Sequence, residues 1–125
     1  MYPIGDDEAL YAKDVPVILS SEATGYRPLC SKFSFIACPG VKMPRLTADG
    51  RLSPVDEERL RRKVRLIFAT ARDEVVCGAL GCGVWGCPPR HVAEVFKSEL
   101  DGEMRVIFAS VMNQRSATSW RTTSQ

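Results

Sequence analysis

A chain of 125 residues has room for one domain and a core of modest margin. Its composition is that of an ordinary globular protein, 45% hydrophobic and 26% charged, and a net charge of +2 gives no strong pull toward nucleic acid or a membrane surface. No apolar run approaches the roughly 20 residues that span a bilayer, and the acidic start "MYPIGDDEAL" lacks the apolar core of a signal peptide. Five cysteines cannot all pair within one chain, so they are expected as reduced thiols in a cytoplasmic or nuclear protein.

Taken in chain order, "VPVILS" (15–20) is short, apolar and β-branched and predicts a strand. "SEATGY" reads as a turn. "KFSFIAC" predicts a second strand with Phe33 and Phe35 on one face, closed by Pro39-Gly40. Residues 41–52 are irregular and polar. Ser53-Pro54-Val55-Asp56 then opens a helix: serine caps, proline suits the first helical position, and acids suit the positive end of the dipole. Leu60, Val64, Ile67, Phe68 and Ala71 recur at helical spacing, with Arg59, Arg61, Arg62, Lys63 and Arg65 mostly off that face as a solvated surface.

"EVVCGA" is a run of consecutive apolar residues, as in a strand buried on both faces of a parallel sheet. A loop of four close glycines follows. Pro88 opens a second helix with Val92, Val95, Phe96 and Leu100 inward, and Asp101-Gly102 stops it. "MRVIFASVM" predicts the last strand, and 113–125 a polar, disordered tail after a domain over 1–112. Helix, strand, glycine loop, helix, strand is an α/β pattern with a parallel crossover, and ligands in such folds collect beyond the carboxyl ends of the strands.

Gly81, Cys82, Gly83, Val84, Trp85 and Gly86 match G-x-G-x-x-G letter for letter, between a strand and a helix. An NAD-dependent oxidoreductase would also need an acid about 20 residues on, and that region is "FASVM". Two readings of the loop stay open. Glycines can let backbone N–H groups approach a phosphate, with Trp85 against a sugar or base. Alternatively the loop is a tight turn with Trp85 plugging the core. Cys77, Cys82 and Cys87 lack the close pairing of a zinc site, so no metal is expected. Cys87 and His91 could form a thiol–imidazole pair at a helix start, without a third orienting group.

"VVCGALGCGVWGCPPRHVAEVFKSEL" followed by "RVIFAS" resembles the carboxyl-terminal half of the microbial-type poly(ADP-ribose) glycohydrolases, which are macrodomain proteins. The likeness is carried by Gly78, Ala79, Gly81, Cys82, Gly83, Val84, Trp85, Pro88, Val92, Ala93 and Phe96, within a similarity from about Tyr11 to Val111. It implies a three-layer α/β/α fold with a mixed, mostly parallel sheet, incomplete on its N-terminal side. It implies a loop, residues 81–86, that cradles the diphosphate of ADP-ribose, with Trp85 against the adjoining ribose. ADP-ribose or poly(ADP-ribose) would be the partner, with no cofactor, no membrane and no direct nucleic-acid contact.

The departures fall on catalysis. The family's Gln-Glu-Glu motif and its Gly-Gly run are absent; Glu57 and Glu58 adjoin only as a helix's first turn; and Cys87 replaces a small polar residue, typically Asn. The link from the first helix to "EVVCGA" is also short. The resemblance therefore implies a truncated or degenerate member with no catalytic residue of its own. A non-catalytic structural or interaction fragment of the same fold is the alternative.

Overall fold

The computed structural model describes residues 4–22 and 25–109. The predicted tail, and the end of the last predicted strand, lie outside the described residues. The elements in chain order are β1 (Leu10–Glu22), β2 (Gly25–Ala37), α1 (Pro54–Ala71), β3 (Glu74–Cys77), α2 (Pro89–Glu99) and β4 (Arg105–Phe108).

β1 and β2 form an antiparallel hairpin whose register runs from Leu10 opposite Ala37 to Glu22 opposite Gly25. Both strands are about twice as long as expected. The added residues, "LYAKD" and "GYRPLCS", show no clean alternation, and their extension rests on cross-strand pairing. The register slips between Ala12 and Val15, where Asp14 takes a φ of 52° and its N–H donates to Ser34 Oγ at 3.2 Å. Phe33 and Phe35 share a face as expected, but each is half exposed.

α1 begins as its sequence dictates. Ser53 is the N-cap, its Oγ accepts from the Asp56 N–H, and Pro54 fills the first turn. Leu60, Val64, Ile67 and Phe68 are buried against α2, which contributes Val92, Val95 and Phe96. Phe96 meets Phe68 and Phe108 edge-on, with ring centroids 5.9 and 5.4 Å apart, and so ties both helices to β4.

β3 and β4 pair in parallel with α2 as the crossover. In this register Val75, Cys77, Val106 and Phe108 pack toward the helical core, while Glu74, Val76, Arg105 and Ile107 face the other way. The α/β class is as expected. The single mixed sheet is not: the described residues form two separate two-stranded sheets, one antiparallel and one parallel. Nor is "EVVCGA" buried on both faces, since Val76 is 62% exposed. Consecutive apolar residues suit a covered strand, and among the described residues a cover stands on one face only. No helix is long and apolar enough to cross a membrane among the described residues.

The basic run on α1 is more ordered than a solvated face. Arg59 grips Asp6 and Asp56, Arg61 bridges Glu57 and Glu99, Arg62 meets Asp7, and Arg65 reaches Glu58 and Glu99. Lys63 departs from the expectation altogether: it is 1% exposed. Its stem lies in the core and its Nζ donates to the Asp6 carbonyl at 2.6 Å and to Asp6 Oδ1 at 3.1 Å. The hydrogen bond from Arg59, with that from Lys63, lowers the Asp6 carboxyl to about 2. A depressed carboxylate stabilises the fold above its unfolded value near 4, and that stability is lost as pH falls through about 2. Asp6→Asn should therefore destabilise the protein by about 1–2 kcal/mol at pH 7, a value discounted because the carboxylate is half exposed. Urea denaturation from pH 7 to pH 2 checks this: the variant should lose less stability below pH 4 than the parent does.

Candidate functional site

β3 ends at Cys77, and the chain runs through residues 78–88 before α2 begins at Pro89, with Pro88 as its N-cap. The glycine loop thus lies beyond the carboxyl end of a parallel strand, the place where such folds bind ligands. Its shape is held by three backbone bonds. Cys82 N–H donates to the Ala79 carbonyl, Gly86 N–H to Gly83, and Cys87 N–H to Gly81, at 3.1, 3.1 and 2.9 Å.

The glycines have different reasons to be glycine. Gly81 has a φ of 74°, and a Cβ there would stand 2.8 Å from Cys87 Sγ. Gly86 has a φ of 81°. Both are required by the turn itself. Gly83 is not: its φ lies outside the left-handed region, and a Cβ there would meet nothing within 4 Å. The fold gives no internal reason for glycine at this position, which points outward.

The N–H groups of Gly83, Val84 and Trp85 have no acceptor among the described residues. They are consecutive, and Val84 is 96% exposed. Three adjoining free donors on an exposed turn are the arrangement that receives an anion. The helix start adds less than expected. Pro88 and Pro89 carry no N–H, so Arg90 and His91 alone are left to supply first-turn donors.

The loop is braced from one side by the segment after β2. A Cβ on Gly40 would stand 2.9 Å from the Gly81 nitrogen, so backbone packs on backbone there. Met43 N–H donates to the Trp85 carbonyl at 2.9 Å, and Cys87 Sγ donates to the Val41 carbonyl at 3.1 Å. Pro39-Gly40, expected as a strand stop, also supplies this brace, a role that no local sequence signal marks. Trp85 is half buried and stands outside the hydrophobic core cluster, so it is no core plug.

The other candidate chemistries are not assembled. Burial pushes the Cys87 thiol up to about 11, the opposite of an activated nucleophile. His91 is turned away from it: Nδ1 accepts from Leu52 N–H at 2.9 Å, which assigns the proton to Nε2, 2.7 Å from Glu57 Oε1. Among the described residues no cluster of three or more metal-ligating side chains occurs. The third glycine of the G-x-G-x-x-G pattern, Gly86, has open space around its Cα and packs no helix on a strand, unlike a dinucleotide fingerprint.

Glu57, Glu58 and Glu8 each have a partner. Glu57 accepts from His91 and Arg61, and the bond from His91 holds its carboxyl below the usual range. Glu58 faces Arg65, and Glu8 accepts from Gly5 N–H. A general acid for glycosidic cleavage needs a raised value, and the bonds that Glu57 accepts act in the opposite direction.

The sequence matches no protein-family model and no curated protein. Solved structures do match. The apo poly(ADP-ribose) glycohydrolase of Deinococcus radiodurans aligns over 94% of this chain with a TM-score of 0.71 at 26% identity. The same enzyme in complex with ADP-ribose aligns over 94% with a TM-score of 0.68 at 27% identity. The Thermomonospora curvata enzyme bound to the inhibitor ADP-HPD aligns over 93% with a TM-score of 0.72 at 23% identity, a likeness of fold. The chain is thus related to the bacterial poly(ADP-ribose) glycohydrolases. It spans about half of them, covering 53%, 52% and 48% of those three chains.

The division of labour among the glycines is measurable. Gly81→Ala should cost about 2–4 kcal/mol, from the left-handed backbone and the contact with Cys87. Gly83→Val should stay within about 1 kcal/mol of the parent, as an open surface site does. Thermal denaturation of the two variants side by side checks the contrast.

Proposed function

We propose that this chain binds ADP-ribose, or an ADP-ribose end of poly(ADP-ribose), by seating the diphosphate on the N–H groups of Gly83, Val84 and Trp85. The observation that carries this is the row of three unpartnered donors beside a glycine that the fold itself does not require. Gly81, Cys82 and Gly86 shape the turn, and Trp85 lies against the sugar. The loop's place beyond β3 and the likeness to glycohydrolases solved with ADP-ribose and ADP-HPD support the reading. Within it, the three-layer α/β/α arrangement is the form the fold takes once its sheet is covered on both faces. Five free thiols fit a reducing compartment, cytosol or nucleus.

The same proposal holds that this span alone does not cleave the glycosidic bond. The Gln-Glu-Glu motif is absent from its sequence, and Glu57 is kept ionised by its partners.

Calorimetry separates diphosphate recognition from mere nucleoside stacking. ADP-ribose should bind more tightly than adenosine, and Gly83→Val should remove the difference because a branched Cβ stands where the phosphate approaches. Equal affinity for both ligands, or none for either, would sink the idea in favour of a fragment that keeps the fold without the ligand. Trp85→Ala should weaken ADP-ribose by ~1–3 kcal/mol, the scale of stacking on an aromatic ring, with melting temperature little changed.

A release assay on poly(ADP-ribose) tests the chemical half of the proposal. The chain should liberate no more ADP-ribose than a protein-free control. Turnover abolished by Glu57→Gln, Glu58→Gln or Glu8→Gln would overturn it and name the acid.

A further inference from the structure

Two cysteines flank the run of free donors. Cys82 stands just before Gly83, and Cys87 just after Gly86. Gly86 N–H closes the turn on the Gly83 carbonyl at 3.1 Å, and Cys87 N–H pins its base to the Gly81 carbonyl at 2.9 Å. A chain pinned in this way brings the residues on either side of the turn together. The sulfur of Cys87 marks how near they come: a Cβ on Gly81 would stand 2.8 Å from it. Cys82 is the next residue, one Cα–Cα step of about 3.8 Å farther on. A disulfide needs its two Cα atoms within about 7 Å.

The two sulfurs also share a side of the loop. Cys87 is buried in the hydrophobic core cluster and the partly buried Cys82 packs against the same cluster, while Gly83 and Val84 are exposed. Burial lifts the Cys82 thiol to about 12 with help from Cys87, whose charge acts through space and fades with distance. Both cysteines are free thiols. Cys87 Sγ donates to the Val41 carbonyl at 3.1 Å, and Cys82 Sγ makes a weak bond to the Leu80 carbonyl at 3.7 Å.

We infer that Cys82 and Cys87 are a reversible redox pair, which closes a disulfide across the base of the glycine loop and so loosens the loop from its brace. The oxidant is a small-molecule disulfide of the glutathione type. Cys82, the more exposed of the two, loses its proton and attacks one sulfur of that disulfide. A new S–S bond forms as the old one breaks, and the departing thiolate takes up the proton. Cys87 then attacks the Cys82 sulfur of the mixed disulfide and expels the second small thiol in the same way. Two protein sulfurs are oxidised, and one small disulfide is reduced to two thiols. Bonded to Cys82, the Cys87 sulfur has no proton to give Val41. Val41 is wholly buried, so its carbonyl loses the thiol where water does not replace it. The high thiol values keep the pair reduced until oxidant persists, as suits a transient, regulatory disulfide.

The test equilibrates the full chain with reduced and oxidised glutathione and reads the products by mass spectrometry. A form two hydrogens lighter is expected. Chymotrypsin cuts after Trp85, between the two cysteines, and the pieces should stay joined until a reductant is added. The joined product should persist in Cys77→Ala, whose side chain also packs on the core cluster, and vanish in Cys82→Ala. Cys87→Ser is the second variant should Cys82→Ala fold poorly, and it too should lose the product. Closure should also quicken amide exchange at Met43, whose N–H bonds the Trp85 carbonyl, by about tenfold. Glutathione adducts without an internal disulfide overturn the inference. So does a disulfide that draws on another cysteine in place of either named one, or exchange at Met43 that closure leaves unchanged. None of these readouts involves ADP-ribose, so failure here is distinct from failure of ligand binding.

Discussion

Backbone packed directly on backbone, Gly40 against Gly81, is the contact on which the candidate site depends. A side chain at either position would separate the segment after β2 from the glycine loop. With none present, Val41 is buried completely and its carbonyl takes the Cys87 thiol, while Met43 N–H reaches the Trp85 carbonyl. Met43 adopts a φ of 49° in doing so, a left-handed conformation that costs a non-glycine residue of order 1–2 kcal/mol. The hydrogen bond to Trp85 and the burial of nearby Val41 offset that cost. The outcome is a loop fixed on its inner side and bare on its outer side, where Gly83, Val84 and Trp85 present their donors. Such donors need no rearrangement before an anion arrives, which is the advantage of preorganised backbone over mobile cationic side chains.

A second set of contacts holds the two helices in the register that this loop requires. His91 accepts from Leu52 N–H and donates to Glu57; Glu57 in turn pairs with Arg61, and Arg61 with Glu99 on α2. The buried polar residues Asp56, Lys63 and His91 are all partnered, as buried polar groups are in well-formed cores. The start of α1 is thus consumed in fastening α1 to α2 and to the N-terminal segment.

What the sequence made legible follows from which forces are local. The start of α1 was readable because Ser53 and Pro54 act within one turn, and its buried stripe because helical period is a local property. The β3–loop–α2–β4 order was readable from Val75 through Phe108 for the same reason. The length of the hairpin was not, because pairing such as Leu10 with Ala37 joins residues distant in sequence. The exposure of Val76 was hidden because an apolar run looks alike whether one face of a sheet is covered or two. Lys63 looked like its arginine neighbours, and its burial depends on Asp6, 57 residues earlier. In the candidate site the loop was legible and its brace was not: Gly40 meets Gly81 only in three dimensions. His91 gave a partial signal as a lone histidine near Cys87, but its true partners, Leu52 and Glu57, lie 39 and 34 residues away.

Anchoring and glycosidic chemistry make opposite demands on a carboxyl group. An anchoring carboxylate must stay ionised, and donors around it push its value down. A general acid must hold its proton near neutrality, and desolvation by apolar walls pushes its value up. Asp6, Asp49, Asp56, Glu57 and Glu99 all lie below the ordinary range here. Glu57 and Glu99 are held there chiefly by bonds from His91 and Arg65. The same pairing that fastens α1 to α2 therefore works against Glu57 as a general acid. A loop that binds an anion through N–H groups is indifferent to this, since backbone amides do not titrate. Ligand recognition and bond cleavage can on that account be carried by different parts of one fold, and under the function proposed above this chain carries the first.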